Sequence, residues 1–162
     1  MNFNGILAKA AKFVWVSGPA NYNGGPGTDK WINMKDYDKV LFIIQTGAWA
    51  GGTAAVTFNQ AKTNAGGSSE AFTNFTHMYT NKAVPSSDLL VDTAVVSGTF
   101  NLDTASCLYL VEIRAAELDI TNQMDYINCH VATPGGNNDY YSILAIAYGG
   151  RFEELLGISA IT

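Results

Sequence analysis

Charge is scarce in this chain. Lys and Arg supply 9 of its 162 residues and Asp and Glu 14, so charged residues make up 14% of the sequence, against about 25% in an ordinary globular domain. The net charge is −5, and basic residues never cluster. Lys9 and Lys12 stand close together but are too few to track a phosphate backbone, which argues against a nucleic-acid partner. No apolar run approaches the ~20 residues that span a bilayer, so no membrane partner is expected. The segment MNFNGILAKAAKFVWV has no basic stretch ahead of its apolar part, and Lys9 and Lys12 interrupt that part. It therefore does not read as a secretory signal, and synthesis in a cytosol is the expectation.

Cysteine and histidine are equally sparse, with two of each. Zinc takes about four ligands at suitable spacing, and His77 and His130 stand alone, so neither a metal nor another cofactor is expected. Cys107 and Cys129 fall in apolar, strand-like runs. They read as buried thiols of a reducing compartment, with a disulfide between neighbouring strands as the alternative. A GxSxG nucleophile motif is absent, and the GGxG stretch at 24–27 precedes no helical pattern. NGGPGTD (23–29) and GGNND (135–139) are faint versions of a calcium loop. Of the carboxylates, Glu117, Asp119 and Asp125 come nearest to a glycosidase-like set. A solvated corner accounts for them more simply, and no enzymatic activity is expected.

Hydrophobic residues make up 48% of the chain, enough for one domain with its own core. With so little charge, the surface is covered either by Ser, Thr, Asn and Gly or by another protein. Charge depletion marks interface cores, which favours assembly.

Alternation with a period of two runs along the chain. KVLFIIQTG (39–47) sets Val40, Phe42 and Ile44 on one face and Leu41 and Ile43 on the other, as in a central strand covered on both sides. TAAVTFNQA (53–61) alternates Val56 and Phe58 with Thr57 and Asn59, giving one dry and one wet face. CLYLVEIR (107–114) puts Tyr109, Val111 and Ile113 together. MDYINCHVAT (124–133) turns Ile127, Cys129 and Val131 inward, and YYSILAIAYGG (140–150) is apolar on both faces. About eight to ten short strands with frequent turn signals and no βαβ alternation predict an all-β fold. The expected architecture is an antiparallel two-layer β-sandwich, a jelly-roll or related Greek key. Residues 1–30 read as an N-terminal arm or short helix (4–11), a brief strand (12–16) and a Gly/Pro-rich loop (17–30). Residues 31–162 read as the single sandwich domain.

GAWAGG (47–52) between two strands predicts a hairpin. Trp49 is either an exposed tip or a cap on the end of the sandwich. If exposed, Trp49, Trp31 and the pair Tyr140–Tyr141 make a platform for stacking sugars or for a protein partner.

The order of segments resembles small tailed-bacteriophage virion proteins encoded among head and tail structural genes. The likeness lies in WINMKDYDKVLFIIQTGAWAGGTAAVTFNQAK (31–62), TFNLDTASCLYLVEIRAAELD (99–119) and MDYINCHVATPGGNNDYYSILAIAYGGRF (124–152). It includes the Gly-rich turn before VTFNQA, the VEIRAAELD segment and the TPGG turn, and the first thirty residues carry none of it. The resemblance implies a β-sandwich structural protein of the virion, most readily a capsid decoration or cement protein. Such proteins stud the head, commonly as trimers, and bind the major capsid protein or other virion proteins. A tail or neck component remains the alternative, and the resemblance supplies no catalytic residues. Under this reading the terminal segments make shell contacts through Ile6 and Leu7 at one end and Phe152, Leu155 and Leu156 at the other.

Overall fold

The computed structural model describes residues 11–22, 30–133 and 138–150. Eleven strands form two antiparallel sheets: β1 (Ala11–Asn21), β2 (Ile32–Asn33), β3 (Tyr37–Thr46), β4 (Ala54–Ala61), β5 (Glu70–Phe72), β6 (His77–Asn81), β7 (Val91–Ala94), β8 (Thr99–Leu102), β9 (Leu108–Arg114), β10 (Tyr126–Val131) and β11 (Tyr140–Gly150). A single 3₁₀ turn, Ala115–Glu117, follows β9.

The six-stranded sheet runs β1-β11-β3-β9-β6-β7, and the five-stranded sheet runs β2-β10-β4-β5 with β8 also paired to β4. The pairings β1 with β11, β2 with β10, β3 with β9 and β4 with β8 are nested. The chain is thus one long hairpin rolled so that successive strands alternate between sheets. This nesting makes the sandwich a jelly-roll, with β5, β6 and β7 added near the turn of the roll.

Alternation explains the layers. Val40, Phe42 and Ile44 of β3, Tyr109, Val111 and Ile113 of β9, and Ile127 and Cys129 of β10 are each 1% exposed or less. The inward side chains of the two sheets meet through edge-on aromatic contacts, including Phe42 with Phe58 and Phe58 with Phe75.

Three expectations need correction. GAWAGG does not turn a hairpin, because β3 and β4 lie in different sheets and pair with strands far along the chain. The seven residues 47–53 instead cross the end of the sandwich, held by Gly47 N–H to Tyr140 C=O (2.8 Å) and by Tyr140 N–H to Ala48 C=O (2.9 Å). Second, β1 is not confined to 12–16 and does not stand outside the domain. It continues through Gly18 and Pro19 to Asn21 and forms an edge of the six-stranded sheet. The Pro is tolerated because it lies on an edge strand, where the register slips between Trp15 and Ser17 and again between Ser17 and Ala20. The cysteines agree with the expectation of buried thiols: Cys107 leads into β9, Cys129 lies in β10 of the opposite sheet, and they form no disulfide. The third correction concerns the outer face of β3.

Candidate interaction surface

Side chains of a strand point alternately to its two faces. In the six-stranded sheet one face meets the other sheet, and the other was expected to be covered as well. Among the described residues, no second layer lies on it. Phe13 and Trp15 are each 49% exposed and Tyr79 50%, while Leu41, Ile43, Leu110, Leu144 and Ile146 are half-buried by one another.

The register aligns these residues in rows across the strands. Phe13 lies opposite Ile146, Ile146 opposite Leu41, and Leu41 opposite Glu112. Two residues along, the row is Trp15, Leu144, Ile43, Leu110 and Tyr79, crossing five strands from β1 to β6. Strands ~4.8 Å apart make this row about 20 Å long. Single exposed apolar residues are ordinary on a protein surface, whereas a contiguous apolar patch of several hundred Å² marks an interaction site.

The row Tyr148, Lys39 and Arg114 borders the patch. Lys39 Nζ lies 3.0 Å from Glu112 Oε1, and the Tyr148 hydroxyl donates to Glu112 Oε2. Burial pushes the Glu112 carboxyl up, but the hydrogen bonds from Tyr148 and Lys39 outweigh it and hold the carboxyl below its ordinary range. Burial, followed by the hydrogen bond to Glu112, pushes the Tyr148 hydroxyl upward. On the far side, His77 Nδ1 faces Asp92 Oδ1 at 3.0 Å. The apolar rows are thus rimmed by polar and charged side chains in local pairs, the anatomy of a protein interface.

The residues expected to form an aromatic platform are not brought together. Trp49 packs partly buried against the core and donates from Nε1 to the carbonyl of Gly52 at 3.1 Å. It caps the sandwich rather than projecting from it. Asp139, fully buried, fastens the same loop by accepting the Ala50 N–H at 2.7 Å. Trp31 lies over the turn at Gly66, where an added Cβ would come within 2.9 Å of its ring. That turn follows β4 and the Trp49 loop precedes it, so Trp31 and Trp49 sit at opposite ends of an eight-residue strand, roughly 25 Å long. Tyr140 is exposed beside the Trp49 loop. Tyr141, expected as a contact residue, is a core residue at 2% exposure stacked on Tyr22 at 4.1 Å, because alternation in β11 turns it inward. Ile6, Leu7, Phe152, Leu155 and Leu156 lie outside the described residues.

The candidate carboxylates are committed to local structure. Glu117 accepts the Arg114 N–H at 2.9 Å, Asp119 binds Asn122 through both oxygens, and Asp125 pairs with Lys35 at 3.2 Å. Among the described residues, no group of three or more His, Cys, Asp or Glu side chains is placed to hold a metal ion. An open cleft of about 710 Å³ lies between β6–β7 and β8, with Met78, Leu89, Phe100 and Tyr109 among its lining residues. No sequence signal pointed to it.

Signals for the apolar face were present in the sequence. KVLFIIQTG and YSILAIAY are apolar on both faces, and Phe13 and Trp15 alternate with Val14 and Val16. Of these, the KVLFIIQTG pattern predicts a strand covered on both sides, and the others predict strands without saying what lies over them.

No family model matches the chain, and no curated protein matches it. Among solved structures, it shows a distant likeness to a chain in the structure of infectious bursal disease virus Gx strain, with 11% identity and a TM-score of 0.38. The match covers 88% of this chain and 34% of that one, so the chain spans about a third of that chain's length.

Proposed function

We propose that this chain is a structural subunit of a bacteriophage virion, of the capsid decoration or cement type, and stabilises the head shell through protein–protein contacts. The observation that carries the reading is the apolar outer face of the six-stranded sheet, presented in a chain with only 14% charged residues. A jelly-roll by itself does not select a function, since shells, lectins and cupins all use it. A rigid sheet with an apolar centre and a polar rim can add buried area between neighbouring subunits, and shell symmetry repeats each such contact. The sequence resemblance to phage structural proteins points the same way. Partners of this kind are the major capsid protein or other virion proteins, and the protein's place is the virion, after synthesis in the host cytoplasm. The terminal residues Ile6, Leu7, Phe152, Leu155 and Leu156 are proposed as supplementary contacts.

A tail or neck component would use the same contact chemistry. A carbohydrate-binding module is less well supported, because Trp31 and Trp49 sit at opposite ends of β4 and both rings pack against the protein. The test is to fractionate particles of the encoding phage into heads and tails and locate the chain in each. Co-sedimentation with heads, lost in Leu144→Asp, supports the decoration reading, whereas recovery with tails transfers the role there. Absence from every particle fraction would overturn the virion assignment.

A further inference from the structure

We infer that the outer face of the six-stranded sheet receives a second copy of this chain, related by a two-fold axis running along β3. This rests on the reading of that face as an interaction surface and names the partner it takes.

The first argument is the chemistry of the longer row. Trp15, Leu144, Ile43, Leu110 and Tyr79 run aromatic, aliphatic, aliphatic, aliphatic, aromatic. Ile43 lies at the centre of this five-strand row, with two of its strands on either side, while β7 extends the sheet beyond Tyr79. A two-fold contact places one surface against itself, so the surface must be self-complementary. Rotation about an axis along β3 exchanges the two margins. It lays Trp15 of each copy against Tyr79 of the other and the aliphatic centres against one another.

Charge gives the second argument. The chain as a whole carries −5, which disfavours close approach of two copies through most of their surface. On this face Glu112 and Asp92 are matched in number by Lys39 and Arg114, so two copies of it meet without net like-charge repulsion. A strongly charged partner would find little on the face to recognise.

Area gives the third. The five strands that face a counterpart, of 5 to 11 residues, cover roughly 700 Å² at ~3.3 Å per residue and ~4.8 Å between strands. A standard interface takes about 800 Å² from each partner. The face therefore matches a two-copy contact in which two sheets stack about 10 Å apart.

The test uses the full chain. Light scattering should give twice 17.3 kDa at micromolar concentration, and Ile43→Asp should weaken the association about 100-fold or more. Leu144→Ser serves as a milder second variant in case Ile43→Asp misfolds. Residues across stacked sheets are too far apart for a disulfide, so Trp15→Cys and Tyr79→Cys are prepared separately, mixed and treated with a short bis-maleimide. Cross-linking in the mixture, and in neither variant alone, is the expected result. The buried Cys107 and Cys129 leave the wild-type control unlinked. A monomer at every concentration, a trimer, or linkage of Trp15→Cys to itself would each overturn the inference. A monomer that still binds phage particles through this face would overturn the second copy and spare the proposed function. A dimer of this geometry absent from every particle would do the reverse.

Discussion

Phe42 and Ile43 are adjacent in β3 and point to opposite faces, which allows the sidedness of the sheet to be measured. Phe42 is 0% exposed, and its ring meets Phe58 edge-on with centroids 5.2 Å apart. Truncating such a residue to Ala removes its transfer energy and leaves a cavity, about 3–5 kcal/mol in total. At about 2–4 °C per kcal/mol for a domain of this size, Phe42→Ala should lower Tm by about 6–20 °C. Ile43 is half-buried on the outer face, with Leu144 and Leu110 opposite it in the register. In the isolated subunit it already faces water on one side, so Ile43→Ala should cost only about 1 kcal/mol, or about 2–4 °C. The assay is urea and thermal unfolding at a protein concentration low enough to keep the chain dissociated. Association should show the opposite order, with Ile43→Ala the more damaging. Equal losses of stability for the two variants would show that the outer face is covered within the subunit, and the interface reasoning would fail.

Two further predictions follow from local geometry and electrostatics. Gly98 has φ +63, and a Cβ there would lie 2.6 Å from Thr73 Cα, a backbone atom. Gly98→Ala should therefore cost more than the roughly 1–2 kcal/mol of a left-handed alanine, visible as a lower urea midpoint with unchanged slope. Glu112 has a depressed carboxyl pKa in the fold, so its stabilisation is present above the unfolded value and lost as pH falls through the lower folded one. Glu112→Gln should cost up to about 1 kcal/mol at neutral pH, given the partial exposure of the pair. The difference from wild type should shrink to nothing in acid, and a constant difference across a pH series of unfolding curves would contradict this account.

How much of the molecule was legible beforehand follows from the range of the forces involved. Which residues form strands, and which side chains share a face, depends on a repeat of two residues. Val40, Phe42 and Ile44, or Ile127, Cys129 and Val131, show it without any neighbour being known. The aromatic platform failed because it required Trp31 and Trp49 to meet, and their separation depends on where β4 lies in the sheets. Tyr141 failed because its partner, Tyr22, reaches it only through the pairing of the first strand with the last.

Alternation and composition alone determined an all-β chain of short strands with a charge-poor surface, because both are local properties of the polymer. The tertiary structure alone decided the pairing of strands more than a hundred residues apart, the crossing of 47–53 between sheets and the capping by Trp49. It also decided which of β3's two apolar faces is left uncovered by the described residues. A side chain cannot encode whether another layer will reach it; only the path of the whole chain determines what lies above each sheet.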